Sequence, residues 1–453
     1  MTDDSTGTTL LAGAASAVIT PEPGCWMIGP QAPSSGVLDD LYARVLVLDD
    51  GALRCAILGL DVLGFALEFN DELRGLIKDR TGISTVLINA SHTHNVPFSM
   101  PWSYAGWKHF CDDDEGWRDM LRSSLPGIVQ QACDALEPAG LSAGRAPVQV
   151  GKNRRVHTDD GVVMLPNDKG DILPWVDVLK VNNGEGRTIA LLYSHAAHPV
   201  IIHGASTLIS ADYAATSART IKNRMGHITE PIFLQGCGAD INGHPLMGGI
   251  ERAEEAGITL GRAALQAARD AAVIENPALK IESCSMLLPC QALPTADECD
   301  AVIERYSTHL ANDFTEEPPW NETDKLRRLH HLREMIVNSD QPDMRFDITM
   351  LRIGDDWCLT AMPHEIFSAY ALWIEELSPF SHNVTLGYTN GCEIYVPTDA
   401  DLELGVRGGY EAACFPVPGC AAMAYHKRMA LQPGVEKQIK TAIKDMWRCM
   451  LKS

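Results

Sequence analysis

The sequence predicts an α/β protein of layered mixed β-sheets flanked by helices. Three observations carry that expectation. Short apolar runs recur along the 453 residues and end in polar loops, helical stretches with one apolar face separate several of them, and Gly, Asp and Pro punctuate the joins. A chain of this length can bury a large core, and length alone would suit about two or three average domains.

The elements follow in chain order. Residues 43–48, the turn Asp49-Asp50-Gly51 and residues 55–60 read as a β-hairpin. Next, Asn70 as N-cap, Asp71 and Glu72 in the first turn, apolar Leu73, Leu76 and Ile77 on one face and Gly82 as the stop predict a helix. The apolar run 85–90 then completes a β-α-β unit. The pattern recurs. Residues 188–193 end at Ser194-His195-Ala196-Ala197-His198-Pro199, a helix runs from about 211 to Gly226, and residues 231–234 end at Gln235-Gly236-Cys237-Gly238-Ala239-Asp240-Ile241-Asn242. An Ala-rich helix over 251–274, with Ile258, Leu260, Ala264, Leu265 and Ala268 among its apolar positions, is expected to cover the sheet. Residues 357–361 form a short strand ending at Met362-Pro363-His364-Glu365, and a last helix starts near Val435.

Residues 294–346 differ in texture, being charged and helical with Glu316-Glu317-Pro318-Pro319-Trp320 between two helices. They are expected to be a helical insertion, serving as a lid or an oligomer contact. Its adjacent His330 and His331 diverge by roughly a third of a turn on a helix and make a poor chelate. No internal repeat or low-complexity tract interrupts the chain.

Charge and cysteines narrow the class. The chain holds 37 basic and 59 acidic residues, a formal charge of -22, which disfavours nucleic acid and anionic membranes as partners. Its 13 cysteines are odd in number and lack a C-x-x-C spacing, and Cys55, Cys237 and Cys358 lie in or at the end of apolar runs. They read as reduced core thiols of a cytoplasmic protein. The acidic start Met1-Thr2-Asp3-Asp4 and the short small-residue stretch 10–18, without a basic flank, predict no signal peptide, membrane span or stable membrane association.

The chemistry concentrates at Ser91-His92-Thr93-His94-Asn95, directly after the run 85–90. Alternate side chains of an extended strand point the same way, so His92 and His94 face one cleft while Thr93 turns to the scaffold. Two imidazoles at a strand end suggest a metal site. Which of the two binds metal is not readable from spacing. Altogether four apolar strands end in His-, Asp- or Glu-bearing loops, and in α/β sheets ligands bind at the carboxyl ends of strands.

The order of motifs resembles the neutral/alkaline non-lysosomal ceramidase family in its N-terminal catalytic domain. The resemblance spans nearly the whole chain. It runs through residues 17–29 and 40–51, His92-Thr93-His94, Asn153-Arg154-Arg155, His198-Pro199, Leu208-Ile209-Ser210-Ala211-Asp212-Tyr213, Ala239-Asp240-Ile241-Asn242, Met362-Pro363-His364-Glu365, Tyr395 and Gly409-Tyr410-Glu411-Ala412. The resemblance implies one zinc per chain, held by His92, His198, Glu365 and Tyr410. Imidazole and carboxylate ligands that leave an open position support the first three independently, whereas Tyr410 rests on the resemblance alone. His94 then faces the reacting centre, able to stabilise an oxyanion or pass a proton to the leaving nitrogen. His195 and His203 read as satisfied structural histidines.

Departures from the family pattern reshape the expected mechanism. Ceramidases of this family carry Gly-Asp-Val-Ser-Pro-Asn with the serine as nucleophile, where this chain has Ala239-Asp240-Ile241-Asn242-Gly243-His244. Asn242 cannot attack a carbonyl, but its amide can donate or accept hydrogen bonds to orient a water or the substrate carbonyl. Asp240 and Asn242 therefore join His94 as catalytic candidates, with zinc-bound hydroxide as the attacking group. Neither an export signal nor the C-terminal β-sandwich of full-length members is expected, and His94-Asn95-Val96-Pro97-Phe98 replaces their Ser-Gly-Pro continuation.

The resulting expectation is a zinc-dependent hydrolase of a C-N (amide) bond in a small or medium soluble substrate. An ester, lactone or glycoside hydrolase is the alternative within enzymes, and a catalytically silent metal-binding protein the alternative outside them; manganese or iron would also suit the ligands. A homo-oligomer is compatible with the sequence. The candidate ligands run from residue 92 to residue 410, which predicts one catalytic unit over 1–453 rather than separate domains.

Overall fold

The computed structural model describes residues 9–99, 115–314, 320–339, 341, 344–417, 419–420 and 428–452. Its main elements are β1 (Leu11–Val18), β2 (Tyr42–Asp49), β3 (Arg54–Leu60), α1 (Leu67–Thr81), β4 (Thr85–Ala90), α2 (Glu115–Asp134), β5 (Glu137–Pro147), β6 (Gly151–Thr158), β7 (Gly161–Asn167), β8 (Trp175–Asn183), β9 (Thr188–His195), α3 (Tyr213–Met225) and β10 (Glu230–Gln235). They continue with α4 (Ile250–Arg269), β11 (Leu279–Leu288), α5 (Ala296–Asp313), α6 (Trp320–Asn338), β12 (Met344–Ile353), β13 (Trp357–Ala361), α7 (Ser368–Leu377), β14 (His382–Leu386) and α8 (Val435–Leu451).

Two sheets stack between helices. The larger runs β10-β9-β8-β5-β1-β2-β3-β4, with Ala272–Val273 added beside β5, and the smaller runs β11-β12-β13-β14. Alternation along each strand divides its residues between two faces. Leu46, Leu48, Ile57, Leu87, Leu192 and Ile232 of the large sheet meet Leu351, Ile353, Leu359 and Val384 of the small one. On its other face, Val45, Val47, Leu58 and Ile88 pack under Leu73, Ile77, Leu125 and Val129 of α1 and α2, and Val178, Tyr193 and Phe233 under Tyr213, Ile221 and Leu260 of α3 and α4. Helices α7 and α8 cover the outer face of the small sheet. The result is a four-layer α/β/β/α arrangement, which meets the expected fold class.

Three β-α-β units orient the strand ends. The pairs β3/β4, β9/β10 and β13/β14 are parallel, with α1, α3 and α7 as their crossovers. The hairpin β2/β3 forms as expected, its turn held by the Asp49 and Asp50 carboxylates accepting from the backbone N–H groups of Gly51, Ala52 and Leu53.

Some boundaries depart from the sequence reading. Helix α1 starts at Leu67 rather than after Asn70, whose side-chain amide instead donates back to the carbonyls of Phe65 and Ala66. The Leu67 N–H finds its acceptor in Glu393, a partner remote in sequence. Helix α4 stops at Arg269, and residues 272–273 become a strand; Ile258 faces outward at 37% exposure while Gly257 and Gly261 face α3. Helices α5 and α6 fall between the hydrogen-bonded neighbours β11 and β12, and residues 344–346 already belong to β12. Residues 316–319 between these helices lie outside the described residues, as does the Trp-rich loop after Ser99. No disulfide joins the twelve described cysteines, seven of which are buried.

Candidate metal centre

One buried amide ties the strand ends together. Asn89, near the end of β4, donates through Nδ2 to the Gly387 carbonyl (2.9 Å) and Thr389 Oγ1 (3.0 Å), and accepts through Oδ1 from the Gln235 N–H (2.7 Å). Its bonds draw the ends of β4, β10 and β14 into one place. Beyond them, His198 N–H donates to the Ile241 carbonyl and Gly243 N–H to the His198 carbonyl, so Asn242 lies bracketed beside His198. Glu365 opens a two-residue strand, Glu365–Ile366, paired with Tyr395–Val396. Thus the predicted convergence of four strand ends is what the chain adopts.

His92 and His94 do converge, by a different route from the one expected. His92 is not extended: its φ of +64° lies in the left-handed region, as do His364 (+68°), Tyr388 (+51°) and Asn390 (+62°) around it. Such conformations cost about 1–3 kcal/mol each for residues with a side chain and are held by their surroundings. Here the His92 N–H donates to the Val62 carbonyl and the His364 N–H to the Gly391 carbonyl, which keep both turns in place. The His92 and His94 rings lie edge to face at 5.0 Å, and the His92 and His198 rings at 4.8 Å.

Hydrogen bonding settles which ring nitrogens are available. His92 Nδ1 lies 2.6 Å from the Leu63 carbonyl oxygen and His198 Nδ1 2.8 Å from that of Gly238. A carbonyl only accepts, so each Nδ1 carries a proton and each Nε2 is the ring nitrogen left to face the site. Both Nε2 atoms face the same carboxylate oxygen, Glu365 Oε2, at 3.4 Å and 3.0 Å. Around a tetrahedral ion with bonds of about 2.0–2.1 Å, neighbouring donors lie roughly 3.3 Å apart. Burial, with Arg154 nearby, pushes His198 down to about 4 and keeps it neutral. Burial would raise Glu365, but the adjacent His92 and His198 hold it well below the usual carboxylate range. Two imidazole nitrogens turned on one carboxylate oxygen are a donor set that fits a cation, which would take the place of the protons between them.

His94 completes the cluster. The ligating atoms of His92, His94 and His198 lie within 4.8 Å of one another, and the buried His94 Nε2 has no hydrogen-bond partner among the described residues. Burial, then the neighbouring His92, His203 and His198, holds its pKa well below the usual value, so the ring is neutral.

The surrounding groups include several that sequence reasoning gave no role. Tyr388 donates to Glu365 Oε2 (3.3 Å), and the Tyr395 hydroxyl also hydrogen-bonds Glu365. Arg154, on β6, is buried and donates from Nε to Glu411 Oε1 (2.7 Å), from Nη1 to Asn242 Oδ1 (2.9 Å) and from Nη2 to the Tyr395 hydroxyl (3.1 Å). Asp240 is engaged on both oxygens, by Ser368 N–H and Oγ–H at 2.7 Å each and by Asn153 Nδ2 at 3.2 Å, and burial raises it to about 6. Tyr410 is 37% exposed, packs edge-on against Tyr395 at 5.8 Å and lies within electrostatic reach of Glu365 and Arg154.

The two histidines read as structural separate. His195 bonds the Trp175 carbonyl through Nδ1 (2.8 Å) and borders a cavity of about 20 Å³ with Asp177 and Asn383. His203 instead sits 5.3 Å from the His94 ring, with a buried Nδ1 that has no partner among the described residues. Its place beside Asn95, whose amide donates to the His203 carbonyl, is a long-range contact that local sequence pattern does not encode.

No family model and no curated sequence matches the chain. Solved structures do. The chain is similar to the neutral ceramidase of Pseudomonas aeruginosa, with a TM-score of 0.63 and 17% identity over 92% of this chain and 73% of that one. It is also similar to a ceramidase complexed with C2, at a TM-score of 0.66 and 16% identity over 97% of this chain and 75% of that one. The neutral-ceramidase fold that the motif order implied is therefore the fold of this chain, at a sequence distance that marks wide divergence.

Proposed function

We propose that the protein is a zinc-dependent hydrolase that cleaves a C-N (amide) bond in a small or medium soluble substrate. The observation that carries the reading is the pair of imidazole Nε2 atoms, oriented by carbonyl-bound Nδ1–H groups and turned on one oxygen of Glu365. The ceramidase fold supports the choice of an acyl C-N bond. His92, His198 and Glu365 hold the ion in this reading, and Tyr410 closes the set. A zinc ion bound there supplies Lewis acidity and lowers the pKa of a coordinated water toward neutrality.

The remaining roles belong to the chain's own groups. Tyr388 and Tyr395 orient the Glu365 carboxylate. His94, neutral and with an unpartnered Nε2, takes up the proton released by the attacking water at that atom and delivers it to the departing nitrogen. Asn242 forms a polar wall of the site. Asp240, bonded to Ser368 and Asn153, positions the loop that carries it. No helix among the described residues is long and apolar enough to cross a membrane, and the formal charge of -22 disfavours an anionic membrane surface as the place where substrate is met.

Elemental analysis tests this reading directly. Wild type is expected to hold one zinc per chain, and His92→Ala/His198→Ala to lose it together with hydrolysis of a panel of N-acyl amino acids, acetylated sugars, lactones and ceramide. A folded wild type that takes up no divalent metal when offered it overturns the proposal.

A further inference from the structure

Asn242 stands where the related enzymes' serine is expected, and Arg154 determines which end of its amide faces outward. A guanidinium offers only donors. The Asn242 atom 2.9 Å from Arg154 Nη1 is therefore the oxygen, and Nδ2 is the atom left over. The arrangement is rigid. Arg154 is itself anchored by Glu411 and Tyr395, and the Asn242 backbone is bracketed by the bonds from His198 N–H to Ile241 O and from Gly243 N–H to His198 O. Asn242 is 91% buried in relative terms, at 9% exposure, yet among the described residues Nδ2 has no hydrogen-bond partner and is not sealed from solvent.

A pre-oriented N–H pair beside His198, with no partner in the protein, is a group waiting for an acceptor. From this geometry we infer that Asn242 is an oxyanion donor: its Nδ2–H bonds the acyl oxygen of the substrate, and Arg154 is the positioning residue that turns it there. The inference rests on the hydrolase reading and deepens it. As the water oxygen bonds to the acyl carbon, the carbonyl π pair moves onto the acyl oxygen, where Nδ2–H meets the developing negative charge. The pair returns as the C-N bond breaks, its electrons leave with nitrogen, and the proton taken from water goes to that nitrogen, giving an amine and a carboxylic acid, which loses its remaining proton to solvent. A donor aimed at a developing oxyanion serves amides and esters. It has no counterpart in glycoside cleavage, whose transition state gathers positive charge at carbon. The substrate class is thus an acyl compound.

A substitution series separates donor from acceptor. If Asn242 acts as a donor, turnover of aryl amide and aryl ester probes follows Asn above Ser, and both far above Ala and Asp, with losses of about 10²–10³ in kcat for Asn242→Asp. Asp keeps an oxygen for Arg154 but has no N–H. If Asn242 only accepts, Asp matches Asn. Metal content and Tm are recorded for each variant, and affinity for phenylphosphonate, a tetrahedral oxyanion, is measured by titration with the metal-loaded protein. Asn242→Ala is expected to weaken phosphonate at least tenfold and Asn242→Ser to restore part of it; Arg154→Lys is expected to lower kcat more than it raises KM.

Turnover of Asn242→Asp within threefold of wild type, or equal phosphonate affinity in wild type and Asn242→Ala, overturns the inference. Should wild type hydrolyse none of the probes, it is the hydrolase reading that fails, and the phosphonate ratio still decides whether Asn242 donates.

Discussion

Glu411 accepts from two arginines at once, through Oε1 from Arg154 at 2.7 Å and through Oε2 from Arg155 at 2.5 Å, with all three side chains no more than 6% exposed. Removing one partner of a buried charge network leaves the others uncompensated, which typically costs about 3–5 kcal/mol. Arg155 keeps Asp401 at 2.8 Å, whereas Arg154 would retain only the neutral Asn242 and Tyr395. Glu411→Gln is therefore expected to lower unfolding free energy by an amount at the lower end of that range, read from urea denaturation, and to lower turnover while metal content stays the same. An unchanged denaturation midpoint would show that Arg154 is not dependent on Glu411. Arg154-Arg155 and Glu411 are visible in the sequence as letters of motifs, but their pairing spans most of the chain and no local period signals it. The site histidines and Glu365 were legible for the opposite reason, because each ends an apolar run. What the pattern missed is the left-handed turn at His92, which an alternating strand model cannot anticipate.

At the scale of elements, two helical glycines offer a controlled comparison. A Cβ on Gly261 of α4 would lie 2.8 Å from Thr220 Cβ and 2.9 Å from the Ser217 carbonyl oxygen of α3, whereas a Cβ on Gly75 of α1 meets nothing within 4 Å. Alanine gains about 0.8–1.0 kcal/mol of helix propensity over glycine at an unstrained interior position. Gly75→Ala is expected to gain most of that. Gly261→Ala is expected to lose about 1–3 kcal/mol net, because the helices must separate. Thermal melts of the two variants against wild type read the opposite signs; a stabilised Gly261→Ala would mean that α3 and α4 do not depend on this close approach. The same contact explains why α4 was only half legible. Hydrophobic periodicity marks large apolar residues as the buried stripe, so it selected Ile258, which is exposed, and passed over the glycines, which are buried. Helix starts were obscured for a related reason. Asn70 has the chemistry of a cap, but Glu393 supplies the acceptor at Leu67 from a distant loop, and Asn70 serves inside the first turn instead.

For the whole molecule, buried carboxyl groups and buried imidazoles together determine how stability depends on pH. Burial raises Asp212 from 3.8 to about 7, Asp39 and Asp240 from 3.8 to about 6, and Asp61 above its usual value despite its ion pair with Arg44. A carboxyl whose folded pKa is raised binds its proton more tightly in the native state. Its contribution is fully present below about pH 4 and is lost as pH rises through 6 to 7. Glu365 has a depressed pKa and changes nothing within that window. Buried imidazoles act in the opposite direction. Burial lowers His198, His203 and His364 from 6.5 to about 4, so each is neutral in the native state while the unfolded chain still binds its proton, and each contributes stability that grows as pH rises toward 6.5 and is complete above it. The carboxyl share is therefore read by difference. Between pH 5.5 and pH 8 the Asp212→Asn variant, which has no proton to release, is expected to gain on the order of 2 kcal/mol of unfolding free energy relative to wild type, both metal-free and followed by urea denaturation. Self-repulsion of a chain carrying -22 is screened by salt, whereas the buried group is not, so the difference should persist in 0.5 M NaCl, a concentration chosen to give a Debye length of about 4 Å. A difference between variant and wild type that is the same at both pH values would show that Asp212 is ionised without cost, and that its environment is wetter than its burial implies.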